Sequence, residues 1–299
     1  MAVFAVLMIL IAGSLYLLGT KAAGGYVTAE PEIGSRSGSV AAGDTTDASG
    51  SASVKFMGPV SGAILFEDDF TGPAGSLPDS AKWGDWSACA YNGTAAIGLI
   101  RCGADEKLDG AGHLSLPASP TYGTAISTAN KFSFMYGTMS AWVKMPPQVG
   151  YWPAFWELNS RPNGQDEFPL GEADAMEGYT TWPTVYHATG HNWTGNAATD
   201  SHDKDNYCAA NSGINLGTTY VKFSARIEPN KITYYYNDIQ CGAAFTPNTN
   251  PGKPWGFGPS VTRPNWLILD LAVGGADGQQ QPATQPAAML VDRVEVRGL

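Results

Sequence analysis

Between Gly171 and Gly178 the chain reads Glu172-Ala173-Asp174-Ala175-Met176-Glu177, three carboxylates within six positions of a protein in which only 15% of residues are charged. No other stretch restricts the local fold as much. In an α-helix, Glu172 and Glu177 would stand about 140° apart and share no face. Pro169 and the two bracketing glycines also argue against a helix interior. In a β-strand the side chains alternate between faces, so Glu172 and Asp174 lie together while Glu177 falls one residue out of phase. A β-bulge, which inserts one extra residue, returns Glu177 to the face of the other two, and bulges are frequent beside active sites. The expectation is a bulged strand carrying Glu172, Asp174 and Glu177 in one row.

Like charges this close repel, so at least one acid of the row should keep its proton near neutral pH. A carboxylate beside a carboxylic acid is the pair that glycosidic-bond cleavage uses. An exposed acidic edge strand would carry the same residues, and the flanking sequence weighs against it. Gly150 to Leu158 reads as a strand in which Trp152, Ala154 and Trp156 share a face, so that both indoles could line one groove.

The remaining chain suits a β-sandwich. From residue 63 onward, short strand-like runs alternate with clusters of Gly, Pro, Asn and Asp, and no long stretch has helical period. Val221–Ile227, Ile232–Tyr236 and Val291–Val296 alternate apolar and polar residues. The fold class expected is all-β, a sandwich or barrel formed by residues 63–299.

Residues 2–20 are almost wholly apolar, and residues 1–23 are expected to be a signal peptide or a retained N-terminal anchor. Residues 24–62, rich in Gly, Ser, Ala and Thr, are expected to be a flexible linker. The protein should therefore be extracellular, or anchored to the outer side of the membrane by that segment alone. In this context Cys89, Cys102, Cys208 and Cys241 suggest two disulfides, with sequence proximity favouring Cys89–Cys102 and Cys208–Cys241. Asn92 and Asn192 each open a glycosylation sequon. The formal net charge of −10, with no basic run, excludes a nucleic-acid partner and fits a neutral one.

Trp152-Pro-Ala-Phe-Trp156 followed by Gly171-Glu-Ala-Asp-Ala-Met-Glu-Gly178 resembles glycoside hydrolase family 16, in the bulged form that includes laminarinases, agarases and carrageenases. Phe66-Glu-Asp-Asp-Phe70, Leu271-Ala-Val-Gly-Gly275 and Met289-Leu-Val-Asp-Arg-Val-Glu-Val296 agree in order. The resemblance implies a β-jelly-roll whose concave face forms a polysaccharide cleft, in a monomer acting as a retaining endo-glycoside hydrolase, most simply on β-1,3-glucan. It makes Glu172 the nucleophile, Asp174 the group that tunes it and Glu177 the general acid/base. It places Trp152, Trp156, Asn92 and His187 against substrate. No cofactor is implied for catalysis, but a structural calcium ion is, near Asp69, Gly112 and Asp292. Where the family usually reads Gly-x-x-Glu-Ala-Arg, this chain reads Gly137-Thr-Met-Ser-Ala-Trp142, which leaves Trp142 in a place where the family commonly has a cationic contact, and Trp142 is counted with the substrate-binding residues. A non-catalytic glucan-binding module, a galactan hydrolase and a transglycosylase are the alternatives on the same fold.

Overall fold

The computed structural model describes residues 62–85, 105–160, 168–196, 214–249 and 254–299 apart from 276–279, with short stretches at 40–43, 53–56, 101–102, 200–202, 206–208 and 251–252. The chain divides into two units, Met1–Pro59 and Val60–Leu299. In the first, within the stretch expected to be linker, Val40–Gly43 pairs antiparallel with Ser53–Phe56. The expected signal or anchor, 1–23, lies outside the described residues.

The second unit contains twelve principal strands: β1 (Ile64–Asp68), β2 (Leu114–Ala118), β3 (Thr124–Ser127), β4 (Gly137–Lys144), β5 (Tyr151–Leu158), β6 (Leu170–Gly178), β7 (Tyr186–Trp193), β8 (Val221–Glu228), β9 (Lys231–Tyr236), β10 (Ile239–Phe245), β11 (Trp266–Val273) and β12 (Ala287–Arg297). They form two sheets. One runs β7-β6-β5-β11-β3, extended at its edges by short strands that include Ser201–His202 and Gly84–Asp85. The other runs β10-β9-β8-β4-β12-β2, with β1 also paired to β12. Among the described residues every principal pairing is antiparallel. The all-β expectation holds.

Period-two alternation decides which side chains meet between the sheets. Met139, Ala141 and Val143 of β4 and Val221, Phe223, Ala225 and Ile227 of β8 are buried against Tyr151 and Phe155 of β5 and Leu267, Leu269 and Leu271 of β11. The expected alternation of Val291–Val296 is interrupted by a register shift between Val291 and Arg293, after which Val294 and Val296 point inward again. Full burial of one such side chain contributes about 1.5–3 kcal/mol, so the interdigitated layer fixes the register of both sheets.

Two close approaches explain the glycines that bracket the acid row. A β-carbon at Gly171 would stand 2.6 Å from the Phe257 ring, and one at Gly178 would stand 2.5 Å from the Met145 thioether. The Phe257 ring leaves no room for a side chain at Gly171, whereas one at Gly178 would have to displace the flexible end of Met145. Asn192 is only 2% exposed and accepts the Gly256 amide at 2.9 Å, so the second sequon is not an accessible glycan acceptor in the folded chain. The first sequon, at Asn92, lies outside the described residues.

Candidate active site

The site is built on β6, held between β5 and β7. Going along β6, Glu172 faces Leu158 and His191, Asp174 faces Trp156 and Thr189, and Glu177 faces Ala154 and His187. Both ladders slip within this run: Phe155 pairs with Met176 and Trp156 with Asp174, which leaves Ala175 as the additional residue. Ala173, Ala175 and Met176 are all completely buried in the core. Two successive inward residues, Ala175 and Met176, are what the bulge accomplishes, and they return Glu177 to the face of Glu172 and Asp174. The bulged row read from the sequence is present.

Each acid has an identifiable partner. Trp193 Nε1 donates to Glu172 Oε2 at 3.1 Å, and Trp152 Nε1 donates to Glu177 Oε1 at 3.1 Å. His191 Nε2 lies 3.3 Å from Asp174 Oδ2 and 3.9 Å from Glu172 Oε1. Burial pushes the Glu172 carboxyl up, the neighbouring Asp174 charge adds to this, and the value reaches about 8 although His191 and the Trp193 indole favour the anion. The row thus holds an extra proton around neutrality, as close carboxylates must. Glu172, Asp174 and His191 also bring three ligand atoms within 4.8 Å of one another, the group among the described residues with the spacing to hold a metal ion.

The aromatic expectations resolve differently. Trp152 and Trp156 do share the cleft face of β5, with Trp152 tied to Glu177 and Trp156 Nε1 donating to Asp270 Oδ1 at 2.7 Å. His187 is the cross-strand partner of Glu177, and Tyr179 packs against both its ring and that of Trp152. Trp142 is a correction. Since Met139, Ala141 and Val143 point into the core, Trp142 points out of the opposite sheet, where Lys222 Nζ and the Arg293 guanidinium lie 5.2 and 5.8 Å from its ring centre. The cations on its ring come from β8 and β12. Asn92 lies outside the described residues.

Three site residues escaped the sequence reading: His191, Trp193 and Asp270. The signal for the first two was present, since alternation from His187 puts Thr189, His191 and Trp193 on one face. Asp270 sits in the apolar run Trp266–Val273, where nothing but period marks its face. Glu157, which follows Trp156, points the other way, into the sandwich. It is 0% exposed, and burial, then the Glu172 and Asp174 charges, raise its carboxyl well above the usual range.

The residues expected to hold calcium converge at one corner. A β-carbon at Gly112 would lie 3.9 Å from the Asp69 carbonyl, and His113 links Asp109, at 2.6 Å, with Asp292, at 3.9 Å. The Asp69 carboxylate itself is engaged by Arg293 Nη1 at 3.1 Å. The Asp69 carbonyl and the half-exposed Asp292 carboxylate remain as hard oxygens of the kind calcium takes. Cys241 of β10 is disulfide-bonded, and the side chains of the other three cysteines lie outside the described residues.

An antiparallel sandwich that presents two glutamates astride a bulge, between indole walls, defines a carbohydrate-cleaving enzyme of the two-carboxylate kind. Comparison with known proteins makes this specific: residues 100–293 match the model of glycosyl hydrolases family 16, and the chain belongs to that family. A β-glucanase of Rhodothermus marinus is 29% identical over 252 residues, covering 78% of this chain and 84% of that one. A glucan endo-1,3-β-glucosidase A1 of Niallia circulans is 30% identical over 187 residues, 57% of this chain but 25% of that much longer protein. Among solved structures, the laminarinase catalytic domain of Thermotoga maritima superposes with a TM-score of 0.66 at 20% identity, covering 80% of this chain and 98% of that one. The endo-β-1,3-glucanase of Pyrococcus furiosus gives 0.65 at 24% identity, covering 79% and 94%. These last two bear on the fold. The protein is a glycoside hydrolase.

Proposed function

We propose that this protein is an endo-acting retaining β-glucan hydrolase that cleaves β-1,3-linked glucan of the laminarin type. The observation that carries this reading is the pair Glu172 and Glu177 on one cleft face, each accepting an indole N–H and separated by the bulge. In the first step Glu172 attacks the anomeric carbon while Glu177 gives its proton to the departing glycosidic oxygen, leaving a glycosyl ester on Glu172 and a free sugar hydroxyl. In the second, Glu177, now a carboxylate, takes a proton from water, which attacks the same carbon and releases Glu172. His191 and Trp193 favour the Glu172 anion that the first step needs. Asp174, between the two glutamates and beside His191, holds the geometry of the row.

An open cleft face walled by Trp152 and Trp156 suits internal cleavage of a chain whose sugar rings stack on indole. The similarity to a β-glucanase and to a glucan endo-1,3-β-glucosidase supports the choice of β-glucan. Export or outer-surface anchoring, two disulfides that include Cys208–Cys241, and calcium at the Asp69–Gly112–Asp292 corner belong to the same proposal. The strand Asn206–Cys208 lies against β10, which carries Cys241, and this supports that pairing. The test is a panel of laminarin, lichenan, agarose and carrageenan, assayed for new reducing ends and product length. New reducing ends on laminarin, lost by about four orders of magnitude or more in Glu172→Gln, are expected. Activity unaffected by that substitution would sink the assignment of the nucleophile, and products longer than the substrate would make the enzyme a transglycosylase.

A further inference from the structure

A fourth acid lies in the floor of the same cleft. Leu267, Leu269, Leu271 and Val273 of β11 enter the core, so Asp270 faces the cleft side with Ile268 and Ala272, and it is 4% exposed. Its cross-strand partner is Ala154, and Ala154 is also the partner of Glu177 on the other side. Glu177, Ala154 and Asp270 therefore form one row perpendicular to the strands, with only a methyl group between the two carboxyls. Two residues before and after Ala154 stand Trp152 and Trp156, whose indole N–H groups point in opposite directions, to Glu177 Oε1 at 3.1 Å and to Asp270 Oδ1 at 2.7 Å. The acids on either side are held by the same strand in the same manner.

We propose that Asp270 is a positioning residue for the acid/base: its negative charge, fixed across Ala154 by the Trp156 indole, opposes ionisation of Glu177 and keeps the leaving-group acid protonated at higher pH. This rests on the reading of Glu177 as acid/base. The other charged and titratable groups around Glu177 among the described residues are Asp174 and Glu172 on its own strand, His187 and His191 on β7 and Tyr179 in the following turn. β5 brings no charge to this face, because Glu157 points into the core, and β3 opposes Asp270 with Ala125. Burial raises the Asp270 carboxyl, the Trp156 bond draws it back and Glu177 raises it further, to about 7. Two carboxyls in one row oppose each other's ionisation, so the coupling that raises Asp270 acts on Glu177 as well.

Asp270→Asn tests this, because asparagine keeps an oxygen for the Trp156 indole and removes the charge. For two charges two strand spacings apart, about 10 Å, in a half-solvated cleft, Coulomb's law gives a shift of about half a pH unit. The alkaline limb of kcat/KM on laminarin is expected to move down by that amount, with the acidic limb in place. A purely structural role for Asp270 would lower activity equally at all pH values, and superimposable limbs would overturn the proposal. Carbon-13 titration of the glutamate carboxyls in both proteins reads the same shift on Glu177 without turnover. If the wild type cleaves no glucan, the substrate reading fails alone, and an unchanged Glu177 titration in Asp270→Asn still refutes the role of Asp270.

Discussion

Glu157→Met should make the protein more stable, and more so as the pH rises. Glu157 is 0% exposed, pairs across the sheet with Ala173 and Leu267, and among the described residues neither of its oxygens makes a hydrogen bond of proper geometry. Only the Ala173 amide nearby favours its charge. A buried polar group left without a partner costs about 1–3 kcal/mol, and methionine fills nearly the same space with no such group. The pH dependence adds to this. Burial, then the Glu172 and Asp174 charges, raise the folded-state carboxyl well above its usual value. Folding above the unfolded glutamate value must then take up a proton, so the stability present below that value is lost with rising pH, at about 1.4 kcal/mol per unit for as long as Glu157 stays protonated. In a domain of this size 1 kcal/mol moves the melting temperature by about 2–4 °C. Calorimetry at pH 5 and pH 8 should show Glu157→Met melting about 2–12 °C above wild type at the lower pH, with the gap widening towards the higher. Glu172 and Asp270 also titrate, so only the difference between the two proteins counts. Glu157→Gln should remove the pH-dependent part and keep the offset. A Glu157→Met protein that melts at or below wild type at both pH values, or a gap of constant size, would refute the reasoning.

Two other outcomes follow from the geometry. Deleting Ala175 removes the additional residue of the bulge, so either Glu177 or the Glu172–Asp174 pair must leave the cleft face; hydrolysis should fall by about four orders of magnitude or more, while circular dichroism still shows a β-protein. If calcium binds at the Asp69–Gly112–Asp292 corner, removing it with EDTA should lower the melting temperature and adding calcium should restore it. An unchanged melting temperature in both steps would refute calcium binding at this corner.

Period and composition dictate much of the strand that carries the acid row. The spacing of Glu172, Asp174 and Glu177 demanded a strand with one extra residue, because no other backbone puts all three on one face, and the strand has it. Trp152 and Trp156 are legible as a shared face for the same reason, and the same period leads from His187 to His191 and Trp193. Trp142 was misplaced because an alignment position does not say which face of a strand a substituted residue takes, whereas its buried neighbours Met139, Ala141 and Val143 do. Which residue is the additional one was also undecided in the sequence: Ala175 and Met176 are both apolar, and only the ladders to Phe155 and Trp156 single out Ala175.

What the sequence determined by itself is local and periodic: strands, turns, the bulge, and an acid row flanked by aromatic residues. What the tertiary structure alone decided is adjacency between strands far apart in the chain. Asp270 lies 93 positions beyond Glu177, yet shares a row with it because both pair with Ala154. Glu157 follows Trp156 directly, yet alternation sends it to the core while the indole faces the cleft. Strand order and register place these charges, and register is set by how two sheets fill the space between them, a property of the whole core that no single stretch contains.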